Sequence, residues 1–139
     1  MTTLQGIGTI EEEAAACRAA FANVEVGTLV MFCHHAIPLE TLREPAEYRI
    51  QSILTQKIYR EQALRLHFFR SVPGTYVKAR EAWEAWEKAR EARGAWVKAQ
   101  EVREWEALKK FAPDIFAHLF PGYKFANCIF NITKEDISQ

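Results

Sequence analysis

The stretch VKAREAWEAW (77–86), EKAREARGAW (87–96), VKAQEVREWE (97–106) decides what kind of domain this chain builds. It repeats every ten residues, with Lys78, Lys88 and Lys98, Ala79, Ala89 and Ala99, and Glu81, Glu91 and Glu101 recurring in step. Every residue type in it except Gly94 is well tolerated in a helix, and Glu84/Lys88 is an i,i+4 pair in the favourable order. With successive side chains turned by about 100°, Tyr76, Ala79, Trp83, Trp86, Val97, Trp105, Leu108 and Ala112 share one broad stripe, which Arg90, Gly94 and Glu101 interrupt. A continuous helix over 75–111 would be on the order of 55 Å long, more than a domain of this size spans. It therefore either projects and packs on a second chain or bends back near Gly94. The interrupted stripe points to a partner, with Trp83, Trp86, Trp96 and Trp105 as the interface of a homo-oligomer.

Working outward from this stretch, Thr9-Ile10-Glu11-Glu12 has capping-box spacing and predicts a helix through the alanine-rich run to about Phe21. Val24–Cys33 is rich in Val, Leu and Phe and reads as a buried strand over about 26–33. Pro38 and the polar residues after it read as a connection. Glu44-Pro45 predicts a helix with proline in its first turn, its stripe made by Tyr48, Ile50, Ile53, Leu54 and Ile58. Leu64, Leu66 and Phe68 alternate with Arg65, His67 and Phe69, which predicts a strand over 63–70 with Arg65 and His67 on one face. Pro113 reads as a break, 114–120 as a short helix, and 124–132 as a last strand. The expectation is a single α+β domain over 1–139, a small antiparallel sheet with flanking helices and one long repeat-containing helix or helical hairpin at 75–111.

Composition excludes several classes. The chain has 139 residues, 49% apolar, 12% aromatic and 26% charged, enough apolar material for a core and too much for a disordered chain. Eighteen Lys+Arg against eighteen Asp+Glu leave no net charge, so DNA, RNA and anionic membranes are not expected partners. No membrane-spanning run or signal pattern is read. Cys17, Cys33 and Cys128 are odd in number and unpaired in spacing, which points to a reducing, cytoplasmic compartment. The neutral total hides an uneven distribution: residues 41–80 carry eight bases and three acids, a net of +5, whereas residues 1–40 have a net of −4. An anionic ligand is expected at that basic section.

The candidate chemistry follows from these residues. Cys33-His34-His35 has metal-ligating and nucleophilic side-chain types, yet no further His or Cys stands at ligand spacing, and core or anion-donating roles fit them better. No P-loop, G-x-G-x-x-G, H-E-x-x-H or G-x-S-x-G occurs, so neither catalysis nor a cofactor or metal is expected. The expected ligand-binding residues are His34, His35, Arg43, Arg49, Arg65, His67, Arg70 and Lys124.

Three features together resemble a known group of proteins. They are Cys33-His34-His35 followed by Leu42-Arg43-Glu44-Pro45-Ala46-Glu47-Tyr48-Arg49 and Ile53-Leu54-x-x-Lys57, then Glu61-Gln62-Ala63-Leu64-Arg65-Leu66 with Phe69-Arg70, and the tandem Tyr/Trp-x-Lys-Ala-x-Glu-Ala repeat. Over roughly 30–120 the chain resembles a family of small phage proteins with a variable number of such repeats, similar to the Thoeris anti-defence proteins. The resemblance implies a symmetric oligomer in the host bacterial cytoplasm that binds a cyclic nucleotide or cyclic ADP-ribose type immune signal and sequesters it without cleaving it. The family's C-terminal segment carries cysteine and Trp-Gly where this chain has Phe120-Pro121-Gly122-Tyr123, so no residue there is carried over. Two other classes stay open: a protein-interaction module acting on a host or phage protein, and a signal-degrading phosphodiesterase.

Overall fold

The computed structural model describes residues 6–32, 39–91 and 95–123. In chain order the elements are α1 (Ile10–Ala20), β1 (Leu29–Phe32), β2 (Leu39–Thr41), α2 (Ala46–Gln56), α3 (Tyr59–His67), β3 (Phe69–Ser71), α4 (Val77–Glu91) and α5 (Ala95–Leu119). The architecture is α+β. The three strands form one antiparallel sheet in the order β2-β1-β3.

β1 is central and buried along its whole length, because both faces of the sheet are covered. Leu29 and Met31 join a core with Leu39, Leu64, Phe68, Val72, Trp83, Trp86, Leu108 and Phe116, on the side of α4 and α5. Val30 and Phe32 join a second core with Cys17, Leu42, Ile50, Ile53, Leu66 and Phe69, on the side of α1 and α2. The molecule is therefore three layers deep, with the sheet in the middle.

α1 starts where the capping box puts it. Thr9 Oγ1 accepts the Glu12 N–H at 3.1 Å, and Glu12 Oε1 accepts the Thr9 N–H at 2.9 Å. α2 begins one residue later than Glu44-Pro45 suggests, with Pro45 as its N-cap and not inside its first turn. Ile50 and Ile53 are buried as its stripe predicts, whereas Tyr48 and Ile58 are exposed.

The strand expected over 63–70 is mostly helix. α3 runs to His67, and only Phe69–Ser71 is extended. The alternation of Leu64, Leu66 and Phe68 misleads because α3 feeds two cores. Leu64 enters the α4/α5 side and Leu66 the α1/α2 side, and two positions apart on a helix is about 200°, so opposite sides are what a helix gives. Arg65 and His67 accordingly do not share a face. β2 lies in what reads as a connection; three residues are too few to display an alternation. The strand expected at 124–132 lies outside the described residues.

The long repeat is a hairpin. α4 and α5 pack antiparallel, with Trp86 against Trp105 at 5.4 Å between ring centroids and Tyr76 against His118 at 5.8 Å. Ala79, Trp83, Trp86, Leu108 and Ala112 of the stripe are all buried within the one chain. Trp83 and Trp86, expected at a subunit interface, are thus unavailable for one, and Trp105 packs on Trp86. The side chain of Trp96 lies outside the described residues. Arg90, which interrupts the stripe, caps it by lying 4.5 Å over the Trp86 ring. Pro113 does not end a helix, and α5 continues through it. The proline is on the exposed face of α5, as is Lys109, so the Lys109 carbonyl left without its usual donor is on the solvent side.

Candidate functional site

The basic section does not converge on one point. Arg43, beyond β2, is 67% exposed and lies 3.4 Å from Glu87 of α4. Arg49 of α2 is bonded to Glu40, and its guanidinium lies 4.7 Å over the Phe32 ring and 5.9 Å from that of Phe69. Burial pulls the Arg49 pKa below its ordinary value. Arg65 of α3 spends Nε and Nη2 on Glu61 Oε1, at 3.1 and 2.8 Å. His34, His35 and Lys124 lie outside the described residues. What the fold does bring together is His67 and Arg70.

These two sit on either side of the α3–β3 junction, in a cleft of about 260 Å³ that Leu119, Phe120, Pro121 and Tyr123 complete. Arg70 pairs with Met31 across the ladder, so it stands on the sheet face that α5 covers. Its Nη1 donates to the carbonyls of Leu66 at 2.9 Å and Phe69 at 2.7 Å. This bends the side chain over the edge of β3 that faces away from β1, whose Phe69 carbonyl also takes the Cys17 thiol at 3.7 Å. Among the described residues Arg70 has no carboxylate partner.

His67 is held from below by Glu13. Its Nδ1 is 3.0 Å from Glu13 Oε1, while Glu13 Oε2 accepts the Gly8 N–H at 2.8 Å. Glu13 is 6% exposed. The imidazole is flanked edge-on by Phe68 at 4.8 Å and Tyr123 at 5.3 Å between ring centroids. Burial, and then the charge of Glu13, push the Tyr123 hydroxyl pKa above its usual value. Cys17, behind Arg70, is fully buried, and burial pushes its thiol up to about 11 with Arg70 pulling the other way. A thiol so protonated and enclosed is not a nucleophile.

The pattern of basic residues in the sequence does not point to Glu13, Phe120 or Tyr123. Glu13 had a signal: it stands four residues before Cys17 on the face of α1 that carries Ala14 and Phe21, and an acid on an apolar face asks for a buried partner. Tyr123 had none, since only the return of α5 over the sheet brings it to His67.

Two other clefts compare poorly as sites. One of about 390 Å³ lies between residues 25–29 and 72–80, with Glu25 and Arg80 as its charged groups, and Arg80 is 3.5 Å from Glu84. One of about 240 Å³ holds Arg49 and Lys57 with Glu40 and Glu44, so its charges cancel. Among the described residues no three His, Cys, Asp or Glu side chains gather as a metal site. No helix there is long and apolar enough to cross a membrane. The chain matches no protein-family model, no curated protein and no solved structure.

Proposed function

We propose that the chain is a non-enzymatic binding protein for a nucleotide-type anion, taken up in the cleft of His67, Arg70, Phe120 and Tyr123. One observation carries this reading. Arg49 and Arg65, half-buried like Arg70, each have a carboxylate partner, whereas among the described residues Arg70 has none and lines a cleft walled by aromatic rings. A guanidinium in that position suits a phosphate, and aromatic faces suit a base. The cleft is small for a whole ligand and matches one phosphate with its attached sugar or base. With the resemblance to phage anti-defence proteins, the ligand class is a cyclic nucleotide or cyclic ADP-ribose type immune signal, held and not cleaved.

The test is to incubate the protein with cyclic mono- and dinucleotides and cyclic ADP-ribose isomers, remove free ligand, and release bound ligand by heating. Intact release supports sequestration; an altered product replaces it with catalysis. Arg70→Ala should weaken binding ten- to a hundredfold, the loss of one charge-assisted phosphate contact worth about 1.5–3 kcal/mol. Arg43→Ala, remote from the cleft, should bind as the parent does. Retention of no ligand at all favours the interaction-module reading, which the exposed Tyr48, Ile58 and Tyr59 and the dispersal of Arg43, Arg49 and Arg65 support.

A further inference from the structure

His67 stands among the expected ligand-binding residues of the basic section, and its hydrogen bonding argues for an acceptor role there. Glu13 is almost wholly buried, and a buried carboxylate is stable only where donors face its oxygens. Gly8 supplies one N–H and His67 Nδ1 the other. An ionised carboxylate has no hydrogen to offer, so the hydrogen in the contact with His67 belongs to Nδ1. The hydrogen bond of one ring nitrogen fixes the state of the other. In the neutral ring Nε2 is then bare, a hydrogen-bond acceptor, and the edge-on rings of Phe68 and Tyr123 hold the imidazole in that orientation.

Resting on the binding reading above, we propose that His67 is the specificity-determining acceptor of this cleft. Its Nε2 takes a hydrogen bond from a ligand hydroxyl while Arg70 takes the phosphate. The ligand class this selects is a ribonucleoside phosphate, and a nucleotide without ribose hydroxyls is discriminated against. Glu13 is the positioning residue, acting through the hydrogen it keeps on Nδ1. The other charged or titratable groups around the ring are Tyr123 beyond the end of α5 and Arg70 on β3; Arg70 has only donors, and the Nδ1 hydrogen is directed at Glu13, 3.0 Å away.

The experiment uses the full chain with labelled histidine nitrogens, near pH 8, where an ordinary imidazole is neutral. Long-range proton–nitrogen correlations report which ring nitrogen carries the hydrogen, and the same spectra follow titration with AMP and with 2′,3′-dideoxy-AMP. The expected result is a hydrogen on Nδ1 of His67 and roughly three- to tenfold weaker binding of the dideoxy nucleotide, the worth of one neutral hydrogen bond. Glu13→Gln separates this from a merely structural role. Its amide oxygen still accepts the Gly8 N–H, but its amide nitrogen donates to Nδ1 and drives the ring hydrogen onto Nε2. In that variant the same spectra should place the ring hydrogen on Nε2, so that the ring donates to the ribose hydroxyl where it accepts from it in the parent, while Arg70-dependent binding remains. A hydrogen on Nε2 in the parent protein, or equal affinity for the two nucleotides, overturns the proposal and leaves the binding reading standing. Failure of both nucleotides to bind at millimolar concentration also overturns the proposal, and the release experiment above decides the binding reading separately. The parent-protein measurements decide the matter even if Glu13→Gln does not fold.

Discussion

Truncating Trp86 to alanine separates the two arrangements open to the long repeat. In the hairpin Trp86 is 8% exposed, with Trp83 at 4.9 Å, Trp105 at 5.4 Å and the Arg90 guanidinium at 4.5 Å. Removing an indole from such a site costs about 3–5 kcal/mol in lost transfer energy and residual cavity, and Arg90 loses a cation–π contact worth about 0.5–1 kcal/mol. A loss of about 4–5 kcal/mol is a large part of the 5–15 kcal/mol that holds an ordinary domain together. For this chain length it lowers the melting temperature by roughly 15 °C. Urea melts followed by circular dichroism and by tryptophan fluorescence measure the change, with light scattering on the same samples. The expected outcome is a large drop in midpoint at unchanged molar mass. Trp83→Phe is the control: Trp83 Nε1 is buried with no acceptor among the described residues, so losing that N–H offsets much of the lost packing and the change is small. A Trp86→Ala protein that melts within about 1 kcal/mol of the parent but falls to a lower molar mass refutes the reasoning, because the indole would then pack on a second copy.

Two further outcomes follow from single contacts. Cys17 has its thiol raised to about 11 in the folded chain against about 8.5 when unfolded, so its contribution is fully present below about pH 8.5 and is lost as pH rises toward about 11. In a Cys33→Ser, Cys128→Ser background the urea midpoint should fall across that window, and Cys17→Ala should reduce the slope, leaving the part due to Tyr123, whose hydroxyl pKa is also raised. Gly6 and Gly27 both have positive φ, 84° and 97°, but an added Cβ at Gly6 meets the Tyr123 hydroxyl while one at Gly27 meets nothing. Gly27→Ala should cost about 1 kcal/mol and Gly6→Ala more. Thermal melts that rank them the other way would show that the N-terminal segment does not rest on Tyr123.

What the sequence made legible was whatever depends on local rules. The Thr9 cap and the helical content of 75–111 follow from spacing alone, and the structure has both. Among the described residues of the strand expected over 26–33, only Leu29–Phe32 is extended and buried: 26–27 is a turn at the positive-φ Gly27, with Val26 exposed. The errors arise where one segment serves two environments. α3 reads as a strand because Leu64 and Leu66 enter different cores, and periodicity assumes a single buried side. Pro113 reads as a break because the rule ignores which face of the helix the missing N–H falls on. The tryptophan stripe reads as an interface because Arg90, Gly94 and Glu101 interrupt it, whereas of the two arrangements open to the repeat the chain takes the hairpin, in which Arg90 lies over Trp86. At the cleft, His67 and Arg70 were legible as basic residues in a basic section; Glu13 was visible only as a misplaced acid, and Tyr123 and Phe120 depend on contacts across more than fifty residues. Arg43, Arg49 and Arg65, equally basic on paper, are spoken for by carboxylates: Arg65 by Glu61 one helical turn away, a pair the spacing itself offers, and Arg49 and Arg43 by Glu40 and Glu87, which only the fold brings to them.

The junction at Phe68 has a consequence for how the molecule comes apart. α3 ends at His67 and β3 begins at Phe69, so a single residue joins helix to strand. Across it Leu64, Phe68 and Val72 are rooted in the core beneath the hairpin, and Leu66 and Phe69 in the core beneath α1 and α2. With no slack between them, neither side can loosen without dragging the segment out of the other. The two layers should therefore share one melting transition. Amide hydrogens in α1 and in α4 should exchange through the same global opening and not through separate local ones. A ligand that settles between His67 and Arg70, astride that joint, would slow exchange on both sides of the sheet at once.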